Sequence, residues 1–273
     1  MGVKSSGVAV KRHSAVVRAT HWIVVLCVTI LLMSGLQIFN AHPALYSGQQ
    51  SDFGNPLLSM QARVIDGQPR GITKVFNREF DTSGFLGLSN VDGRPTARGF
   101  PPALTIPTGQ DLATGRRWHF LFAWLFVATG FLYLAYGLFA GHFRRDLVPT
   151  RSELASIGAE VANHVRLRFP RGDAARRYNT LQMLAYLGVV FVLLPLMVVT
   201  GASMSPGIDA GLHWLPEIFG GRQGARTAHF IVALLLTLFV LVHVVMVLLS
   251  GPVNNLRSMI TGWYRLPRER NPG

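Results

Sequence analysis

Acidic residues and cysteine are what this sequence has least of. Thirteen Asp and Glu stand against 26 Lys and Arg, a formal charge of +13, and charged residues of both signs fill only 14% of 273 positions, against roughly 25% in an average soluble domain. The shortage is concentrated. No Asp, Glu, Lys or Arg lies between Arg18 and Asp52, Arg117 and Arg144, Arg177 and Asp209, or Arg226 and Arg257. Stretches of that kind cannot present an ordinary water-soluble surface. The single cysteine, Cys27, excludes an intrachain disulfide, a cysteine-ligated iron–sulfur cluster and a C-x-x-C-H attachment site for c-type haem. Any metal chemistry must therefore use histidine. No repeat of fixed period is present either.

What fills the uncharged intervals is apolar, and each run is near or above the ~18 to 20 residues that cross a bilayer as a helix. The expected fold is all-α: a four-helix transmembrane bundle forming one integral-membrane domain over residues 1–273. Its spans fall at about 20–40, 117–140, 179–201 and 226–250, with an outer loop at 41–116 and an inner loop at 141–178. The first run, "WIVVLCVTILLMSGLQIF", is longer than the ~7 to 15 residues of a secretory apolar region, and no small-x-small cleavage site follows it. It reads as an uncleaved span. Lys4, Lys11, Arg12 and Arg18 precede span one, Arg144, Arg145, Arg151, Arg166, Arg168, Arg171, Arg176 and Arg177 separate spans two and three, and Arg257, Arg265, Arg268 and Arg270 follow span four. All fall on one side of a four-span protein, so the positive-inside rule makes both termini cytoplasmic. Topology and attraction to anionic membrane lipid account for the charge, and no nucleic-acid partner is expected. The location implied is a bacterial inner membrane, crossed several times.

The outer loop is rich in Gly and Pro ("SGFLGLSNVDGRPTARGFPPALTIPTGQ") and shows few alternations long enough for strands, so mostly irregular structure is expected there. Loops of that length are often functional, either as a partner-docking surface or as a lid. In the inner loop, "TRSELASIGAEVANHVRL" reads as a short amphipathic helix at the membrane surface, capped by Thr150 or Ser152 with Glu153 in its first turn.

Span four, "TAHFIVALLLTLFVLVHVVMVLL", holds two histidines, His229 and His243, in an otherwise apolar run. Their fourteen-residue spacing falls about 40° short of four full turns and rises ~21 Å, so one helix face presents an imidazole near each side of the membrane. His21 in "RATHWIVV" opens span one at the inner depth, and His119 in "GRRWHFLFAW" opens span two at the outer depth. The depths pair His21 with His243 and His119 with His229. Two bis-histidine sites stacked in a helical bundle form an arrangement that holds two b-type haems. Any one of these histidines also reads as a side chain hydrogen-bonded to a backbone carbonyl or facing a water-filled cavity. Four in two depth-matched pairs are harder to obtain by chance, because an unpaired polar group in hydrocarbon costs roughly 2 to 7 kcal/mol. His42 competes with His119 for the outer position, although Pro43 biases residue 42 out of helical geometry. Gly35, Gly130 and Gly201 leave room either for a flat macrocycle or for a close helix. A proton-relaying transporter is the non-redox reading. It is disfavoured because the spans contain no Asp or Glu.

"THW" opening span one, "RRWHF" opening span two and His-x13-His in span four resemble the bacterial cytochrome b561 and nickel-iron-hydrogenase b-cytochrome superfamily. Within it the chain looks closest to the membrane cytochrome b subunits of molybdenum enzymes, such as the gamma subunit of formate dehydrogenase and the cytochrome b of thiosulfate reductase. The resemblance covers the four spans and "NNLRSMITGW" after the last, but not most of the outer loop. It implies a dihaem cytochrome exchanging electrons between a periplasmic molybdopterin redox subunit and membrane quinone, ubiquinone or menaquinone. "RRYNTLQML" is similar to the family's quinone-side stretch, which implies Asn179 and Gln182 as quinone contacts. Small b561 proteins that oxidise superoxide and reduce quinone supply the alternative. Arg116 and Arg117 would then draw the anion toward His119.

Overall fold

The structure is a computed structural model that describes residues 8–165 and 180–265. Four helices are long and apolar enough to cross a membrane, Ala15–Asn40, Leu112–Phe139, Thr180–Ser203 and Arg222–Leu249. Large apolar side chains stand exposed along them, among them Leu121, Trp124, Phe131, Leu238 and Leu241. In water such a surface would be an aggregation liability, whereas lipid solvates it.

Three of the four helices begin at an identifiable cap. Ser14 caps the first, its Oγ accepting from the Val17 N–H at 3.2 Å. Asp111 caps the second in the same way through the Thr114 N–H at 3.0 Å. The fourth is capped by a distant segment: the Gly48 carbonyl accepts from the Gln223 and Gly224 N–H groups, and the Gln49 side chain accepts from Arg222. Gly221 lets that segment approach. Its φ is +110°, and a Cβ there would lie 2.8 Å from the Gly48 and Gln49 backbone. Within the third helix a wide turn at Val189–Leu193 immediately precedes Pro195. Proline has no N–H and clashes with the carbonyl four residues back, so the turn before it opens.

The chain forms two compact units. One comprises residues 24–128 and 196–234, the other the two ends of the chain with 129–195 and 235–273. In the first, here called the loop unit, residues 41–111 correct the expectation of an all-α fold with an irregular loop. A four-stranded sheet runs in the order β2 (Ala44–Leu45), β3 (Leu58–Ile65), β4 (Gln68–Val75), β5 (Arg78–Asp81), and a separate hairpin pairs β6 (Gly87–Val91) with β7 (Arg94–Arg98). The protein is mostly helical, with a β-structured loop. The two-residue turns account for this. Asp66-Gly67 and Asp92-Gly93 all have positive φ, the geometry whose twist matches paired strands, and Asp-Gly is a strong short-range hairpin signal. Phe39, Leu45 and Met60 form the core of this unit, with Phe100 and Phe230 against it.

In the other unit, here called the terminal unit, β1 (Ala9–Lys11) pairs antiparallel with β8 (Trp263–Arg265), which brings the two ends of the described chain together. The inner-loop helix forms as two pieces, Arg151–Ala155 and Ile157–Val165. Thr150 caps the first in a capping box with Glu153. Gly251, at φ +106°, ends the fourth spanning helix, and an amphipathic helix, Pro252–Thr261, follows.

Candidate functional site: two pairs of histidines

The loop unit builds the first pair. His119 lies two turns into the second spanning helix, whose start is tied to the end of the first. The Gln37 amide donates to the Gly109 carbonyl at 2.7 Å, and Asn40 exchanges two hydrogen bonds with the Phe100 backbone. The buried Arg98 guanidinium holds the intervening segment through the Phe100 and Thr108 carbonyls and the Thr105 hydroxyl. His229 lies two turns into the fourth helix, capped as above. The structure brings His119 and His229 together with ring centroids 6.3 Å apart and planes at 66°.

Both rings are held from behind in the same way. His119 Nδ1 is 3.1 Å from Ser34 Oγ on the first helix. His229 Nδ1 is 2.9 Å from Thr200 Oγ1 on the third helix. With the hydroxyl hydrogens committed elsewhere, each hydroxyl can only accept here, so Nδ1 carries the proton and Nε2 is left as the free lone pair. Each hydroxyl gives its own hydrogen to the carbonyl four residues back, Ile30 or Leu196, at 2.7 Å. Gly35 and Gly201, next in sequence to these hydroxyls, make the room. A Cβ would stand 3.4 Å from His119 Cε1 at one and 3.3 Å from His229 Cε1 at the other. These glycines clear imidazoles, whereas Gly130 faces open space.

His42 takes no part in this pair. It lies past the end of the first helix, with its Nε2 3.0 Å from the Tyr46 hydroxyl and its ring stacked on that side chain. Burial, and then the Arg226 charge, pushes its pKa below the usual imidazole value.

The terminal unit carries His21 and His243, which lie within electrostatic reach of one another. His243 stacks on Phe239 at 5.8 Å and meets Tyr186 edge-on at 6.3 Å. His21 meets Trp22 edge-on at 5.2 Å, and its Nδ1 is buried with no hydrogen-bond partner among the described residues. His13, just before the first spanning helix, is buried beside this pair. Desolvation, then Arg12, His21, His142 and Arg18, lowers its pKa to about 4, so it is neutral at neutral pH. Gln182 stands in the first turn of the third helix, one turn before Tyr186. Asn179 lies outside the described residues.

Ser34 and Thr200 are the site residues that sequence reasoning missed. Their only signal was a hydroxyl directly before a glycine, "SG" and "TG", inside a span.

Residues 12–262 match the family described as prokaryotic cytochrome b561. A curated relative, the putative protein-methionine-sulfoxide reductase subunit YedZ1 of Azospira oryzae, is 27% identical over 250 residues, 92% of this chain and 96% of the relative. No solved structure matches. With nearly the whole chain inside the family match and four helices suited to a bilayer, the protein belongs to the prokaryotic cytochrome b561 family, the multi-pass b-type cytochromes of the bacterial inner membrane.

Proposed function

We propose that this cytochrome holds two b-type haems, one between His119 and His229 and one between His21 and His243, and carries electrons between a periplasmic redox partner and membrane quinone. The observation that carries the reading is the loop-unit pair. An imidazole nitrogen lies about 2 Å from a metal it ligates and about 1 Å from its own ring centre, so two rings on opposite sides of one ion have centroids ~6 Å apart. The 6.3 Å separation of His119 and His229 fits that spacing. The donor chemistry fits as well, since both rings keep an unprotonated Nε2. At the other pair, the buried and unpartnered His21 Nδ1 is a polar atom whose desolvation nothing within the described chain offsets.

Bound haem supplies a one-electron iron couple. The chain supplies its position. The Nδ1 hydrogen bonds fix the tautomer of the loop-unit ligands, and the apolar side chains around each pair keep water away.

By the positive-inside rule, the basic segments before span one, between spans two and three and after span four face the cytoplasm, and the 41–111 loop faces the periplasm. The pairing of β1 with β8 is consistent with both ends sharing a side. Quinone then meets the His21–His243 side. Asn179 and Gln182 are its proposed contacts, with Tyr186, one turn after Gln182, set against His243. YedZ1 is named as a subunit of a protein-methionine-sulfoxide reductase. By that analogy, and by resemblance to molybdoenzyme subunits, the partner is a periplasmic reductase of the molybdopterin type. It would dock on the β-structured loop.

A stand-alone superoxide:quinone oxidoreductase is the second reading. It is favoured by Arg116 and Arg117, both exposed one turn before His119, where they would attract an anion. Co-purification of a soluble redox subunit supports the relay, and rapid haem reduction by superoxide in the isolated protein supports the enzyme.

The test of ligation is haem quantification with reduced-minus-oxidised spectra on the wild type, His119→Ala and His243→Ala. Two haems in the wild type and one in each variant are expected, with different absorption maxima surviving. Two haems in either variant would overturn the assignment, and a protein without haem would overturn the reading altogether.

A further inference from the structure

The two histidines of the loop unit belong to different helices, yet each is held by the same short device on the helix before it. Ser34-Gly35 on the first helix serves His119 on the second, and Thr200-Gly201 on the third serves His229 on the fourth. Each device has a fully buried hydroxyl whose own proton is committed one turn back. Its lone pair receives the imidazole Nδ1–H. The following glycine lets the ring lie against the helix. A hydroxyl placed only for helix packing would have no reason to be matched by the same glycine and the same imidazole contact at both rings.

We infer that Ser34 and Thr200 are positioning residues for the loop-unit metal site: they lock His119 and His229 in the Nδ1–H tautomer and, by accepting from Nδ1, strengthen Nε2 as a donor to ferric iron. The inference rests on the proposed haem ligation for its redox consequence but not for the tautomer. A hydrogen-bond acceptor behind a metal-bound imidazole raises ligand basicity, which favours the oxidised metal. Removing the acceptor shifts the balance toward ferrous iron, and a tenfold change in that preference reads as about 59 mV in a one-electron potential.

The experiment uses full-length protein in detergent. In Ser34→Ala and Thr200→Ala, the loop-unit haem is expected to titrate at a higher potential and to change its low-spin ferric EPR signature. The haem of the His21–His243 side is expected to keep both. Ser34→Thr and Thr200→Ser retain the hydroxyl and are expected to restore the wild-type values. If an alanine variant loses its haem, Thr200→Val separates the causes, because valine keeps the shape and lacks the hydroxyl. Haem lost in Thr200→Val and kept in Thr200→Ser supports the inference. Haem kept in Thr200→Val with unchanged potential and EPR overturns it, as do unchanged values in both alanine variants. In haem-free protein with 15N-labelled histidine, NMR is expected to show His229 as the Nδ1–H tautomer in the wild type and as a tautomer mixture in Thr200→Val. That result stands or falls independently of haem. A wild-type His229 protonated on Nε2 would overturn the inference even if two haems bind.

Discussion

The two ends of the fourth spanning helix place chemically identical side chains in different surroundings. In the loop unit, both imidazoles have Nδ1 engaged by a buried hydroxyl. The helices that carry them are tied by Arg98, Asn40, Gln37 and Gln49 to the segments that precede them. In the terminal unit, His21 Nδ1 has no hydrogen-bond partner among the described residues, and His243 stacks on Phe239 and meets Tyr186 edge-on. The first pair is thus held by hydrogen bonds of the protein itself, and the second by aromatic contacts. Preorganisation of this sort costs stability elsewhere and improves precision at the site.

The largest effect expected from breaking the contrast is at Arg98. Its guanidinium is only 3% exposed and serves two carbonyls and a hydroxyl. Arg98→Ala leaves those acceptors buried, at about 1 to 3 kcal/mol each where water cannot reach them. The segment that sets the start of the second spanning helix should loosen. Haem analysis is expected to show loss of the loop-unit haem with the other retained, and a lower thermal midpoint. Equal loss of both haems would mean that the two sites do not assemble separately.

A redox titration sharpens the same contrast without mutation. Stronger Nδ1 hydrogen bonding at the loop-unit pair favours ferric iron there. Cations stand near both pairs, Arg116 and Arg117 before His119 and Arg12 and Arg18 beside His13, so the hydrogen bonds make the difference. Two resolved midpoints are expected, with the lower one disappearing in His119→Ala. Disappearance of the higher midpoint would reverse the account of which surroundings matter.

Glycine substitutions give a smaller signal. At Gly201 and Gly35 an added methyl meets His Cε1 at 3.3 and 3.4 Å, tighter than ordinary contact, so the ring must yield by a few tenths of an ångström. Gly201→Ala and Gly35→Ala should keep both haems while shifting the EPR signature of the loop-unit centre. Gly130→Ala, which enters open space, should leave both centres unchanged. A shift in Gly130→Ala equal to that in Gly201→Ala would mean that the effect belongs to helix propensity rather than to the ring.

How much of this was legible in the sequence varied with the range of the interaction. The spans were legible because a bilayer imposes a composition over some twenty residues, and that signal survives any tertiary detail. The depth pairing of the histidines was legible because it needs only helix periodicity. Pro43 signalled that residue 42 leaves the helix, and the structure has His42 beyond the helix end, against Tyr46. The strands of the outer loop were misread because their alternation is short and interrupted. Asp66-Gly67 and Asp92-Gly93 stood in plain view, and weighting turn chemistry above periodicity would have found both hairpins. Ser34 and Thr200 could not be assigned from one sequence. A hydroxyl in a membrane helix most simply bonds its own backbone, and only the packing of neighbouring helices shows that its lone pair also serves a histidine.

The smallest expected effect concerns the start of the second helix, which reaches His119 two turns later. The Asp111 carboxylate accepts from the Thr114 N–H, and hydrogen bonds from Thr114 hold its pKa below the usual carboxylate range. The folded state thus prefers the ionised form. The contribution is complete above the ordinary carboxylate range and is lost as pH falls through the lower folded value. Asp111 is exposed, so Asp111→Ala should lower the thermal midpoint only slightly and remove a small acid-dependent component below about pH 4. Asp111→Asn, still a competent cap, should keep the midpoint while losing the pH component. Neither should touch the EPR signature of the His21–His243 centre. If Asp111→Ala altered that centre as much as the loop-unit one, the cap would be acting on the bundle as a whole, and the separate assembly of the two sites would have to be given up.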